Sequence, residues 1–202
     1  MKRLLGLLLV VGIVGCGGGE TVDAPKWVER HGLVYEGESK TPFTGFRVLK
    51  HANGQKKSEG TFKDGKLEGL ATTWDENGQK RYEGTYKDGK EDGLVTEWYK
   101  NGQKKYESTH KDGTPEGLGT YWYENGQKKL ESTVKDRKHE GLWTTWHENG
   151  QKESEGTAKD GKPEGLRTVW HANGQKKAER TFKDGELVSE TKWDKEGNEI
   201  KE

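Results

Sequence analysis

The stretch Leu70-Ala71-Thr72-Thr73-Trp74-Asp75-Glu76-Asn77-Gly78-Gln79-Lys80-Arg81-Tyr82-Glu83-Gly84-Thr85-Tyr86-Lys87-Asp88-Gly89 holds two short alternating runs, separated by Asn-Gly and closed by Asp-Gly. Both dipeptides are turn formers, because Gly and Asn adopt positive φ at little cost. Residues 70–74 and 80–87 therefore read as the two strands of a hairpin. A helix is disfavoured, because nearly every window of about twelve residues contains a Gly or a turn signal and Gly costs about 1 kcal/mol inside a helix.

The unit is copied along the chain. Asn-Gly-Gln-Lys begins at Asn53, Asn77, Asn101, Asn125, Asn149 and Asn173, each 24 residues after the last. The same period places Trp74, Trp98, Trp122, Trp146 and Trp170, and Gly-Leu at Gly69, Gly93, Gly117, Gly141 and Gly165. It also places Lys-Asp-Gly at Lys63, Lys87, Lys111, Lys159 and Lys183; one copy, Lys135-Asp136-Arg137, has lost its glycine. Spacing without drift marks a repeat architecture in which each unit pairs with its neighbours. The expected fold is all-β, an elongated single-layer antiparallel sheet of about 24-residue hairpin repeats. Residues 51–185 form the array, 27–50 an N-terminal capping hairpin, and 186–202 a C-terminal cap and charged tail.

Side-chain parity suggests a register. Leu70, Thr72 and Trp74 share one face of their strand, and Tyr82, Gly84 and Tyr86 one face of the next, since alternate residues point to the same side. These sets coincide if the Asn-Gly connection has an odd length, such as a three-residue turn with a bulge. That pairing predicts an aromatic row of Trp74, Tyr82, Trp98, Tyr106 and Trp122. Thr72, Gly84, Thr96, Ser108, Thr120 and Ser132 form a second row, and Leu70, Tyr86, Leu94, His110, Leu118, Val134 and Leu142 a third. The opposite face, with Ala71, Thr73, Glu97 and Arg167, is expected to be wet.

Composition fits such a thin layer. Only 27% of the residues are hydrophobic and 35% are charged, which is little for a layered core, yet eight Trp and seven Tyr at regular intervals argue against disorder. Acidic and basic groups balance, so no attraction to nucleic acid is implied.

The one cysteine, Cys16, cannot form an intramolecular disulfide. It follows a short basic start, Met1-Lys2-Arg3, and an apolar run over residues 4–14. That run, about eleven residues, is too short to span a bilayer, which needs about 20, and reads as a signal peptide over residues 1–15. Ile13-Val14-Gly15-Cys16 resembles the bacterial lipobox, which implies acylation of Cys16 and attachment to a membrane. Two or three acyl chains anchor firmly where one is marginal. Residues 16–26 then read as the lipidated Cys and a flexible Gly-rich tether. Gly17 is not the Asp that resembles an inner-membrane retention signal, so the expected location is the cell envelope, at the outer membrane or surface.

The unit Tyr82-Glu83-Gly84-Thr85-Tyr86-Lys87-Asp88-Gly89-Lys90-Glu91-Asp92-Gly93-Leu94 resembles the MORN repeat. The Asn-Gly-Gln-Lys-x-x-Glu-Gly form is similar to the bacterial variant of that repeat found in YwqK-type antitoxins. The resemblance covers about residues 45–193 and implies an elongated antiparallel β array that binds proteins or lipids. The antitoxin label implies a toxin partner, which export through a lipobox opposes.

Catalytic and metal motifs fail on their own chemistry. Residues 60–66, 84–90 and 156–162 each match Gly-x4-Gly-Lys, but Leu67, Glu91 and Pro163 stand where a phosphate-binding loop needs Ser or Thr. His139-Glu140 and His147-Glu148 lack the second His of a zinc-binding helix. His51, His147 and His171 share one repeat slot, but successive copies lie about 9.6 Å apart, too far for a zinc–nitrogen bond of about 2.1 Å. No enzyme activity, metal or cofactor is expected. Lys56-Lys57, Lys80-Arg81, Lys104-Lys105, Lys128-Lys129 and Lys176-Lys177 suggest a cationic ladder, but interspersed glutamates make it a mixed-charge edge.

The expected function is a non-catalytic, envelope-anchored module that contacts protein or polysaccharide through Trp74, Trp98, Trp122, Trp146, Trp170, Tyr82 and Tyr106. An antitoxin or immunity-type protein that neutralises a co-encoded toxin is the alternative. Self-association through sheet edges is open to such a fold.

Overall fold

In a computed structural model, residues 26–201 are described; the signal peptide, Cys16 and nearly all of the tether lie outside them. The described residues contain no helix. The strands are β1 (Trp27–Arg30), β2 (Leu33–Glu36), β3 (Gly45–Lys50), β4 (Lys56–Lys63), β5 (Lys66–Trp74), β6 (Lys80–Lys87), β7 (Lys90–Trp98) and β8 (Lys104–Lys111). They continue as β9 (Thr114–Trp122), β10 (Lys128–Lys135), β11 (Lys138–Trp146), β12 (Lys152–Lys159), β13 (Lys162–Trp170), β14 (Lys176–Lys183), β15 (Glu186–Trp193) and β16 (Glu199–Ile200). β3 to β16 pair in strict chain order as one open 14-stranded antiparallel sheet, about 60 Å long at about 4.8 Å per strand.

β1 and β2 form a separate two-stranded sheet rather than a further strand beside β3. This hairpin is pinned to the first Asp-Gly turn, with Val34 N–H donating to Gly65 O and Phe43 N–H to Val34 O. Trp27 meets Phe43 edge-on at 4.6 Å, and Arg47 lies 4.4 Å from the Phe62 ring centroid.

Both turn types follow from their sequences. At Asn-Gly, Gly78 N–H donates to Asp75 O and Asp75 N–H to Gln79 O, leaving the three-residue loop of odd length that parity requires. At Asp-Gly, Lys63 pairs with Lys66 across a two-residue turn, with both central residues left-handed (Asp64 φ 49°, Gly65 φ 79°). That is the primed turn whose twist suits a hairpin. Arg137 takes the glycine position of one such turn at φ 64°, which costs a side-chain-bearing residue about 1–2 kcal/mol. Arg137→Gly is expected to stabilise the protein by about 1 kcal/mol, seen as a higher urea midpoint with an unchanged slope.

The inter-strand register differs from the expected one. Beyond the three-residue loop, Trp74 pairs with Lys80 but Thr73 pairs with Tyr82, so Arg81 is an extra residue in a second bulge. The bulge shifts the pairing by one, and with a side-chain period of two that exchanges faces. Thr72 lies opposite Glu83, Ala71 opposite Gly84, and Leu70 opposite Thr85. The same bulge recurs at Trp98, Trp122, Trp146 and Trp170. The continuous Trp/Tyr row therefore does not form: Trp74, Trp98 and Trp122 occupy one face and Tyr82 and Tyr106 the other. The second and third expected rows are split in the same way.

The face expected to be wet is the packed one. Ala71, Val95, Phe62, Ala158 and Ala178 are its buried apolar residues, joined by Ser108, His110, Ser132 and Ser154. A Cβ built on Gly84 would stand 2.3 Å from Tyr82 Oη. The small residue there makes room for a tyrosine lying across the strand, not for an indole ring. The buried set contains more polar than apolar residues, so hydrogen bonding carries much of the order; among the described residues no buried side-chain polar atom lacks a partner.

Candidate interaction surface

Each hairpin is tied to the next at both ends. At the Asn-Gly end, Asn53 Oδ1 accepts from Gln55 N–H while its Nδ2 donates to Glu76 O in the following turn at 2.7 Å. Asn101, Asn125, Asn149 and Asn173 repeat the second bond. This dual role needs an amide, because a carboxylate has no hydrogen to donate. One slot away, His51, His147 and His171 each bond through Nε2 to the carbonyl of the next tryptophan, at 2.9–3.2 Å. Tyr99 and Tyr123 make the same tie through Oη at 2.7 Å. The histidine ladder is thus a turn-to-turn link.

At the Asp-Gly end, Gly89 N–H donates to Leu67 O, and Asp88 N–H to Glu68 Oε2. Asp92, Glu116, Glu140 and Glu164 accept equivalent turn amides. The Gly-x4-Gly-Lys matches fall on these strands and turns, where no helix N-terminus exists to receive a phosphate.

On one face, all six copies carry the same lysine–glutamate–tryptophan cluster, and in three of them a buried threonine joins it. Lys56 Nζ meets Glu59 Oε2 at 2.8 Å, and Lys104 Nζ meets Glu107 Oε2 at 2.6 Å; Lys80–Glu83, Lys128–Glu131, Lys152–Glu155 and Lys176–Glu179 are equivalent. Residues three apart on a regular strand point to opposite faces; the second bulge brings this Lys and Glu to the same side. Each Lys Nζ also lies 5.3–5.8 Å from the ring centroid of the next tryptophan, from Lys56 over Trp74 to Lys176 over Trp193. That distance is within cation–π range. Thr72, Thr96 and Thr144, buried below, donate to Glu83, Glu107 and Glu155. Trp74, Trp98, Trp122, Trp146 and Trp170 are half-buried under these lysines, and the first lysine of each basic pair is neutralised. The signal for the cluster was Lys-x-x-Glu, present in all six copies from Lys56 to Glu179.

Beside the tryptophans runs an open apolar row. Leu70, Leu94, Leu118, Leu142 and Leu166 are 53–60% exposed, and Phe46 continues the row at the N-terminal end. Each pairs with a threonine on the neighbouring strand: Thr85, Thr109, Thr133, Thr157, Thr181 and, for Phe46, Thr61.

The opposite face holds a network that does not repeat. Tyr82 Oη donates to Glu91 Oε1 at 2.6 Å and lies 2.7 Å from Tyr86 Oη. His110 bonds Glu91 Oε2 through Nδ1 at 2.6 Å and Tyr106 Oη through Nε2 at 3.1 Å. Hydrogen bonds from His110, then Tyr82, hold the Glu91 carboxyl below the usual carboxylate range against an opposing desolvation. Burial, reinforced by the bond to Glu91, pushes the Tyr82 hydroxyl well above its ordinary value, so it remains a donor. Tyr82 and Tyr106 belong to this network and not to the tryptophan surface.

A single layer of stitched hairpins, whose distinctive features are long faces, defines a repeat-type interaction module. A family model described as the MORN repeat variant matches residues 67–88, 91–112, 115–136, 140–160 and 163–184, more than half of the chain. The protein belongs to that family. No match was found among curated proteins.

Proposed function

We propose that the protein is a non-catalytic, lipid-anchored interaction module of the cell envelope, whose Leu–Trp face contacts a protein or polysaccharide partner. The exposed row from Phe46 to Leu166 carries this reading, because among the described residues no second layer covers these apolar side chains on their face of the sheet. Trp74, Trp98, Trp122, Trp146 and Trp170 lie on the same face, separated from the row by the Thr–Glu pairs. Acylation at Cys16 and the glycine-rich segment after it would hold this face off the bilayer surface, with Gly17 consistent with the outer membrane. The Asn-Gly-Gln-Lys-x-x-Glu form of the repeat supports a second reading, a YwqK-type antitoxin or immunity protein that uses the same face.

Expression of the full chain with its signal, beside Cys16→Ser, tests the anchor. The expected result is a membrane-bound protein whose mature N-terminus has the mass of acylated Cys16, with both properties lost in the variant. A soluble, unprocessed wild-type chain would overturn the envelope assignment and favour the antitoxin reading.

A further inference from the structure

We infer that the Leu–Trp face is a docking surface for a second copy of this chain, packed face to face; this rests on the reading of that face as the contact surface. The row alternates tall and short side chains strand by strand: Leu70 then Thr85, Leu94 then Thr109, Leu118 then Thr133. A second copy displaced by one strand places each leucine over a threonine gap, which is how the inner faces of stacked sheets interdigitate about 10 Å apart.

Commensurability selects the occupant. The rungs recur every two strands, about 9.6 Å, and a partner must share that period to fill several gaps at once. A straight helix with seven-residue spacing advances about 10.5 Å per rung and drifts out of step along the row. Another copy has the required period by construction.

The size is adequate. From Phe46 to Leu166 the strip is about 50 Å long and, with the flanking threonine and tryptophan rows, reaches the ~800 Å² that a stable pairing buries on each partner. Its borders tolerate coverage. Glu68, Asp92, Glu116, Glu140 and Glu164 are already bonded to turn amides. Glu59, Glu83, Glu107, Glu131, Glu155 and Glu179 are paired with lysines. On the tryptophan side, covering the strip therefore leaves no carboxylate without a cation, the costly outcome at an interface.

The test is site-specific photo-crosslinking of the full chain in intact cells, with Leu118→p-benzoylphenylalanine and, as a control on the packed face, His139→p-benzoylphenylalanine. A product of twice the chain mass from position 118 and not from 139 is the expected result. Leu94→Asp combined with Leu142→Asp should reduce that product at least tenfold while the far-ultraviolet circular dichroism stays unchanged, since both leucines are more than half exposed. A product of another mass from position 118 overturns the second-copy assignment and leaves the contact face standing. No product from position 118 overturns both. A doubled product that survives the two aspartates overturns face-to-face packing.

Discussion

Val95→Asp is expected to be the most damaging single change on the packed face, at about 4 kcal/mol. Val95 is 2% exposed, between Gly84 and Ser108 on the adjacent strands, and neither of those side chains offers a cation. The new carboxyl must be buried unpaired or protonated, and either state opposes folding. In a linear array each repeat is held only by its neighbours, so a defect in β7 should divide the sheet into blocks that unfold separately. Urea unfolding followed by tryptophan fluorescence should change from one transition to two. A single transition at the wild-type midpoint would contradict the assignment of this face as the packed one.

Glu91→Gln is expected to have the second largest effect, a loss of about 1.5–3 kcal/mol at neutral pH. It removes the charged acceptor shared by His110 Nδ1 and Tyr82 Oη. Because the carboxyl of Glu91 lies below its ordinary range in the folded protein, its contribution is complete above the unfolded value of about 4.3. It fades as the pH falls through the folded value. Wild type should thus lose stability more steeply than Glu91→Gln between about pH 5 and about pH 3, and the two stability curves should converge in acid. Parallel curves would mean that the Glu91 carboxylate is not the source of the difference.

Much of this was legible in the residues. Turn chemistry at Asn77-Gly78 and Asp88-Gly89 marks the strand ends; the Asp-Gly turn has two residues and the Asn-Gly loop the odd length of three. The identity of the exposed surface was only half legible. Leu70 and Trp74 do share a face, as their spacing requires, but the residues facing them across the ladder are Thr85 and Lys80 rather than Tyr86 and Tyr82. Arg81 carries no glycine or proline to announce a bulge, and one unpaired residue reverses every side-chain assignment downstream of it.

The network around Glu91 was hidden for another reason. Tyr82, Tyr86, Glu91, Tyr106 and His110 occupy slots whose counterparts in other repeats are residues such as Ser58, Phe62, Leu67, Leu130 and Val134. A search for what repeats passes over what departs from the repeat.

Sequence by itself determined the all-β class, the 24-residue hairpin unit, the two turn types and the order of the strands, because these depend on local backbone preference and on covalent connectivity. Only the tertiary structure decided which residues face one another across the ladder, and with them the packed face and the open one. Register is a property of the paired strands, set by bulges and inter-repeat hydrogen bonds, neither of which exists in a single strand.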